Sequence, residues 1–92
     1  MHKIISIHAT VYGKVQGVFY RKNTAEKAKS LGLTGWVKNN ADETVSLVAC
    51  GELEKIDLLI AWLWQGPAKA QVTNVSWHEI NVEHFKQFEV RL

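Results

Sequence analysis

The chain has 92 residues, which is enough for one domain rather than two. Hydrophobic residues make up 47% of it and charged residues 22%, a balance typical of a folded globular protein and too apolar for a disordered one. The formal net charge of +2 is too small to indicate nucleic-acid binding by itself. Any preference for anions would therefore have to come from a local site.

The sequence favours a reducing compartment without membrane attachment. Its single cysteine, Cys50, excludes an internal disulfide, and small disulfide-free chains are typical of the cytoplasm. The first 13 residues do not resemble a signal peptide, because polar and apolar residues alternate there. No stretch approaches the roughly 18 apolar residues that a membrane span needs. We expect a cytoplasmic protein, and nothing in the sequence demands more than a monomer.

Hydrophobic periodicity predicts the elements in chain order. Every second residue of 4–12 is apolar, which indicates a half-buried strand. Residues 19–31 place small and apolar side chains at helical spacing, and Gly32 is a plausible helix stop. The rest of the chain predicts a hairpin formed by residues 35–40 and 44–50, and a second helix at 53–65. Two extended segments follow, at 72–80 and 85–92. The buried face of the second helix is expected to carry Leu53, Ile56, Ile60 and Leu63.

This order is β-α-β-β-α-β with a possible extra C-terminal strand. It predicts an α+β fold of the ferredoxin-like (split βαβ) type, an antiparallel sheet with both helices on one face. Residues 1–92 are expected to form a single domain of this kind.

The stretch "YGKVQGVFYRKN", residues 12–23, contains the connection between the first strand and the first helix. Gly13 and Gly17 can adopt positive φ, which lets the loop curl with backbone N–H groups pointing inward. The loop runs into a helix N-terminus, where further N–H groups are unpaired, and Arg21 can add a planar fork of donors. These features predict a phosphate-binding loop. An ordinary glycine-rich turn followed by a solvated arginine remains the alternative on these residues alone.

Three segments of the sequence resemble those of a known family. "GKVQGVFYR" closely resembles the signature of acylphosphatases, and "GLTGWVKNN" resembles the second signature of that family. "WLWQGPAKAQV" resembles the family's Gly-Pro-x-x-Ala-x-Val segment after the second helix. The chain departs from the usual pattern at Glu43, where the family usually has glycine, and at Tyr20, where phenylalanine is more usual.

The resemblance implies an enzyme that hydrolyses small-molecule acyl phosphates to a carboxylate and inorganic phosphate. It implies the ferredoxin-like fold and no metal or organic cofactor. By the same resemblance, Arg21 and Asn39 would be the catalytic residues, with Asn39 positioning the attacking water. The backbone N–H groups that would bind the phosphate belong to Val15, Gln16, Gly17, Val18, Phe19 and Tyr20.

Other classes of site have weaker support. The histidines show no i,i+4 spacing and have no nearby cysteine pair, so no metal site is predicted from His2, His8, His78 and His84. The competing class is a non-catalytic ferredoxin-like module that binds a phosphorylated ligand or RNA. RNA binding would need aromatic residues on the first and third strands, but the third, "TVSLVAC", has none. Nucleic acid is therefore not an expected partner.

Overall fold

The computed structural model describes residues 3–92, so His2 lies outside the described residues. The elements are β1 (Ile4–Lys14), α1 (Tyr20–Ser30), β2 (Thr34–Asn39), β3 (Val45–Glu52), α2 (Leu53–Gln65), β4 (Gln71–Ile80) and β5 (Phe88–Arg91). The predicted order is confirmed, including the extra C-terminal strand. No helix within residues 3–92 is long and apolar enough to cross a membrane.

The five strands form one sheet in the order β4-β1-β3-β2-β5. Three of the four neighbouring pairs are antiparallel, as predicted, whereas β5 lies parallel to β2. The short connection 81–87 leaves β4 and enters β5 at the same end of the sheet. Because β5 must then run opposite to β4, it runs in the same direction as β2, and the sheet is mixed.

The core lies between the sheet and the two helices. The alternation predicted for β1 is confirmed, since Ile5, Ile7, Ala9 and Val11 are all buried in the core that the helices also enter. On α2, the buried residues are Ile56, Leu59 and Leu63. The prediction for α2 was therefore wrong in part, because Leu53 and Ile60 are only partly buried and Leu59 was not included.

The open face of the sheet carries a row of rings. The His8 ring centroid lies 6.3 Å from that of Trp36 and 5.6 Å from that of His78. Lys38 Nζ and the Arg91 guanidinium lie 5.5 Å and 5.0 Å from the Trp36 ring. Burial, followed by the charges of His78 and Lys38, lowers the pKa of His8, so its imidazole stays neutral at neutral pH.

The β2–β3 hairpin keeps the turn geometry that glycine would favour, although it has no glycine. Glu43 has φ 73°, in the left-handed region. The Asp42 carboxylate accepts hydrogen bonds from the Thr44 backbone N–H and hydroxyl, which lower the pKa of Asp42. A non-glycine residue thus occupies a left-handed position in this turn.

Because Glu43 adopts this conformation with a Cβ, we expect Glu43→Gly to stabilise the fold by up to about 1 kcal/mol. Turnover should not change, since the substitution removes only local strain. Glu43→Ala is the control, because it loses the carboxylate but keeps the Cβ and should give no comparable gain. Urea unfolding of the three proteins measures the effect, and a glycine variant less stable than the original would contradict it.

Candidate active site

Three strands terminate at the same end of the sheet and bring the predicted site residues together. β1 and β2 are both antiparallel to β3, and β5 is parallel to β2, so all three run in one direction. Their last residues therefore meet beside the loop that leads from β1 into α1. A cleft of about 280 Å³ opens there, lined by Val15, Gly17, Phe19, Tyr20, Arg21, Lys22, Asn39 and Val90.

This cleft contains Arg21, Asn39 and four of the six predicted loop residues. The other two do not line it. The side chain of Gln16 is directed to the β2–β3 hairpin, and Val18 is buried in the core. Within residues 3–92, no group of three or more His, Cys, Asp or Glu side chains could hold a metal ion.

The loop backbone is curled at Gly17, as predicted. Gly13 was expected to belong to the same loop, but it lies within β1, at the register shift of its pairing with β4, where the Gln71 carbonyl leaves no room for a Cβ. Gly13 and Gly17 have φ 117° and 72°, and Phe19, immediately before α1, also has a positive φ of 63°. The left-handed conformation of Phe19 was not predicted, and it costs about 1–2 kcal/mol in a non-glycine residue. Within residues 3–92, no protein acceptor takes up the backbone N–H groups of residues 16–19. Successive unpaired N–H groups in a turn that contains left-handed residues are typical of anion-binding concavities.

Arg21 is held in place by the far end of the chain. It lies in the first turn of α1, and its Nη1 donates a hydrogen bond of 2.8 Å to the backbone carbonyl of Arg91 in β5. The other donors of the guanidinium remain available to a ligand in the cleft. Sequence reasoning missed this role of β5, and no signal could have revealed it, because the acceptor is a backbone oxygen that any residue would provide.

Asn39 ends β2 with its side-chain amide at the cleft. The Oδ1 atom is buried, and no protein group among residues 3–92 donates a hydrogen bond to it. Buried polar atoms rarely lack a partner, and such an exception calls for a specific explanation. The terminal torsion of asparagine is soft, so a rotation can present either end of the amide to a ligand.

The Gln16 side chain fixes the loop against the hairpin that follows Asn39. Its Nε2 donates to the backbone carbonyls of Asn40 and Thr44, both at 2.9 Å. Asn40 in turn donates from Nδ2 to the hydroxyls of Thr44 and Ser46. The prediction gave Gln16 only a backbone role, whereas its side chain joins the loop to the segment that carries Asn39.

Tyr20 anchors the base of the loop. Its side chain is 1% exposed, more deeply buried than expected, and its hydroxyl donates a 2.7 Å hydrogen bond to the Leu63 carbonyl near the end of α2. Burial raises the pKa of Tyr20 above its ordinary value, so the phenol stays protonated and keeps this bond. A phenylalanine in this place would lack the bond that joins α1 to α2.

The fold and the cleft define a small ferredoxin-like α+β protein with a candidate site for an oxyanion at one end of its sheet. The acylphosphatase family model matches residues 7–90. A curated acylphosphatase of Coxiella burnetii (strain Dugway 5J108-111) is 58% identical over 85 residues, covering 92% of this chain and 90% of that protein. The chain belongs to the acylphosphatase family.

Solved structures of acylphosphatases share the fold. An acylphosphatase from Coxiella burnetii superposes with a TM-score of 0.93 at 55% identity, covering 96% of this chain and 93% of that one. The acylphosphatase from Bacillus subtilis also superposes with a TM-score of 0.93, at 27% identity, and the match covers 98% of this chain and 100% of the Bacillus subtilis chain. The predicted ferredoxin-like fold and the resemblance to this family are thus confirmed.

Proposed function

We propose that this protein is an acylphosphatase that hydrolyses the carboxyl–phosphate bond of small acyl phosphates to a carboxylate and inorganic phosphate. The observation that carries the proposal is the convergence of Arg21, Asn39 and a loop of unpaired N–H groups on one cleft. Family membership supports the same reaction.

In the proposed mechanism, the phosphoryl group lies on the backbone N–H groups of residues 15–20. The free donors of Arg21 bind its oxygens and stabilise the charge of the transition state. The amide of Asn39 accepts a hydrogen bond from the attacking water and donates another, which holds the water in line with the scissile bond. The hydrogen bond from Arg21 to the Arg91 carbonyl keeps the guanidinium oriented before substrate binds.

The leaving group explains why so few side chains suffice. An acyl phosphate releases a carboxylate whose conjugate acid has a pKa of about 4–5, so no general acid has to protonate it. Phosphoryl transfer otherwise depends on positioning and on charge stabilisation. A cleft with one arginine, one asparagine and backbone donors supplies both.

The proposal includes a reaction that needs no metal ion, and excess EDTA tests it. Hydrolysis of acetyl phosphate by the purified protein should be unchanged in EDTA. An alkyl phosphate monoester should be a poor substrate, because an alkoxide leaves badly without an acid. Loss of acetyl phosphate hydrolysis in EDTA, with recovery on addition of Mg²⁺, would show that this mechanism is wrong.

A module that binds a phosphorylated ligand without turnover is the competing function, and it would use the same cleft. The amide of Asn39 favours the enzyme, since it can both accept a hydrogen bond from an attacking water and donate one, whereas a site that only binds a phosphoryl group needs donors alone. Binding of inorganic phosphate together with no hydrolysis of acetyl phosphate would support the binding module instead.

We further propose that residues 1–92 act as one cytoplasmic, monomeric domain with no nucleic-acid partner. The low net charge of +2 and the disulfide-free sequence support this. Size-exclusion chromatography with light scattering tests the monomer, and a dimer at micromolar concentration would contradict it.

A further inference from the structure

A second cleft of about 370 Å³ adjoins the first. It lies between α1 and the segment Pro67–Lys69, which connects α2 to β4. Phe19 and Lys22 line both clefts, so the two meet at these side chains. Phe19 is 69% exposed in spite of its strained backbone and forms the ridge between them.

The position of the second cleft suits a leaving group. In phosphoryl transfer the attacking and leaving oxygens lie roughly in line, on opposite sides of phosphorus. Asn39, which holds the water in the proposed mechanism, lines the first cleft only, and Pro67–Lys69 line the second only. A substrate with its phosphoryl group on the loop and its water at Asn39 therefore extends its acyl group past Phe19 toward Pro67–Lys69.

The walls of the second cleft combine apolar surface with positive charge. Val18, Phe19 and Pro67 supply apolar atoms that can contact a hydrocarbon body. The charged side chains that line this cleft are Lys22, Lys69 and Glu26, so two ammonium groups stand against one carboxylate. None of these side chains forms an ion pair with any other residue of the range 3–92. The cleft thus offers an unpaired ammonium group beyond its apolar wall.

We propose that this second cleft binds the acyl group of the substrate and favours acyl groups that have an apolar body and a terminal carboxylate. Phe19 contacts the body, and Lys69 attracts the carboxylate. This inference rests on the proposed acylphosphatase activity and adds a preference among its substrates.

The test compares 4-carboxybenzoyl phosphate with 4-methylbenzoyl phosphate. The two acyl groups have similar size, and only the first carries a terminal carboxylate. We expect Lys69→Glu to lower the ratio of their kcat/KM values by about three- to tenfold, somewhat more than the loss of one exposed ion pair. The kcat/KM for the methyl compound should fall much less, because this compound has no terminal carboxylate for Lys69 to attract.

Lys55→Glu is the matched control, because it changes the net charge by the same amount from the first turn of α2. Lys55 lies ten helical residues, or about 15 Å, from Gln65, the last residue of α2 before the segment Pro67–Lys69 that lines the cleft. That distance exceeds the Debye length of about 10 Å at 0.1 M salt, so the control should keep the original ratio. High salt should also lower the ratio of the unmodified protein, as expected for an exposed charge pair.

Two outcomes overturn the inference in distinguishable ways. An equal ratio in the original protein and in Lys69→Glu, with both compounds hydrolysed, shows that the second cleft does not select the acyl group. Failure of the original protein to hydrolyse both compounds and acetyl phosphate shows that the proposed activity itself is wrong, and the acyl site is then excluded with it.

Discussion

Arg21→Gln is expected to lower kcat/KM for acetyl phosphate by on the order of 10³-fold or more, the scale seen for other arginines that stabilise phosphoryl transfer. The reason is that Arg21 provides the cleft's planar fork of donors, oriented by the Arg91 carbonyl. Arg21→Lys should recover little, since an ammonium group cannot form two parallel bonds to the phosphoryl oxygens. Inorganic phosphate should inhibit the original protein competitively and bind Arg21→Gln weakly.

Arg91→Gln is the matched control for this prediction. The substitution removes a neighbouring guanidinium that lies over Trp36 but keeps the backbone carbonyl that holds Arg21. Its activity should stay within a few-fold of the original. Near-normal turnover and phosphate affinity in Arg21→Gln, with its fold intact, would refute the role assigned to Arg21.

Asn39→Ala is expected to reduce kcat by about 10²–10³-fold, the range seen when one preorganised hydrogen-bonding group is removed from a transition state. Phosphate inhibition should change little, because the loop and Arg21 still bind the anion. Stability should also change little, since the Asn39 oxygen has no protein partner to lose among residues 3–92. Asn39→Asp should be no better than alanine, because a carboxylate cannot donate to the water and repels the phosphoryl group.

The neighbouring asparagine separates this role from a structural one. Asn40 Nδ2 bonds the hydroxyls of Thr44 and Ser46, so Asn40→Ala should lower the free energy of unfolding by about 0.5–1.5 kcal/mol per lost hydrogen bond. Its effect on kcat should be much smaller than that of Asn39→Ala. The comparison requires three measurements on both variants: turnover, the phosphate inhibition constant and the midpoint of urea unfolding. Full turnover in a destabilised Asn39→Ala protein would assign Asn39 to the turn instead.

Much of the fold follows from local patterns in the sequence. The alternation in β1 and the helical spacing in α1 predicted those elements, because burial on one side of a strand or helix dictates the period of apolar residues. Gly17 marked a left-handed position in the loop, since only glycine adopts positive φ without steric cost. The two signatures indicate Arg21 and Asn39 as site residues, and the fold places both in one cleft.

What the tertiary structure decided concerns contacts between distant segments. Arg21 donates to a carbonyl 70 residues away, and Gln16 to carbonyls 24 and 28 residues away. Backbone acceptors leave no trace in the sequence, because every residue carries the same carbonyl group. The parallel pairing of β5 depends on the end of the sheet at which the connection 81–87 leads the chain into β5. The sequence alone therefore identified Arg21 and Asn39 as site residues, and the packed fold determined how they are oriented and which other side chains line the cleft.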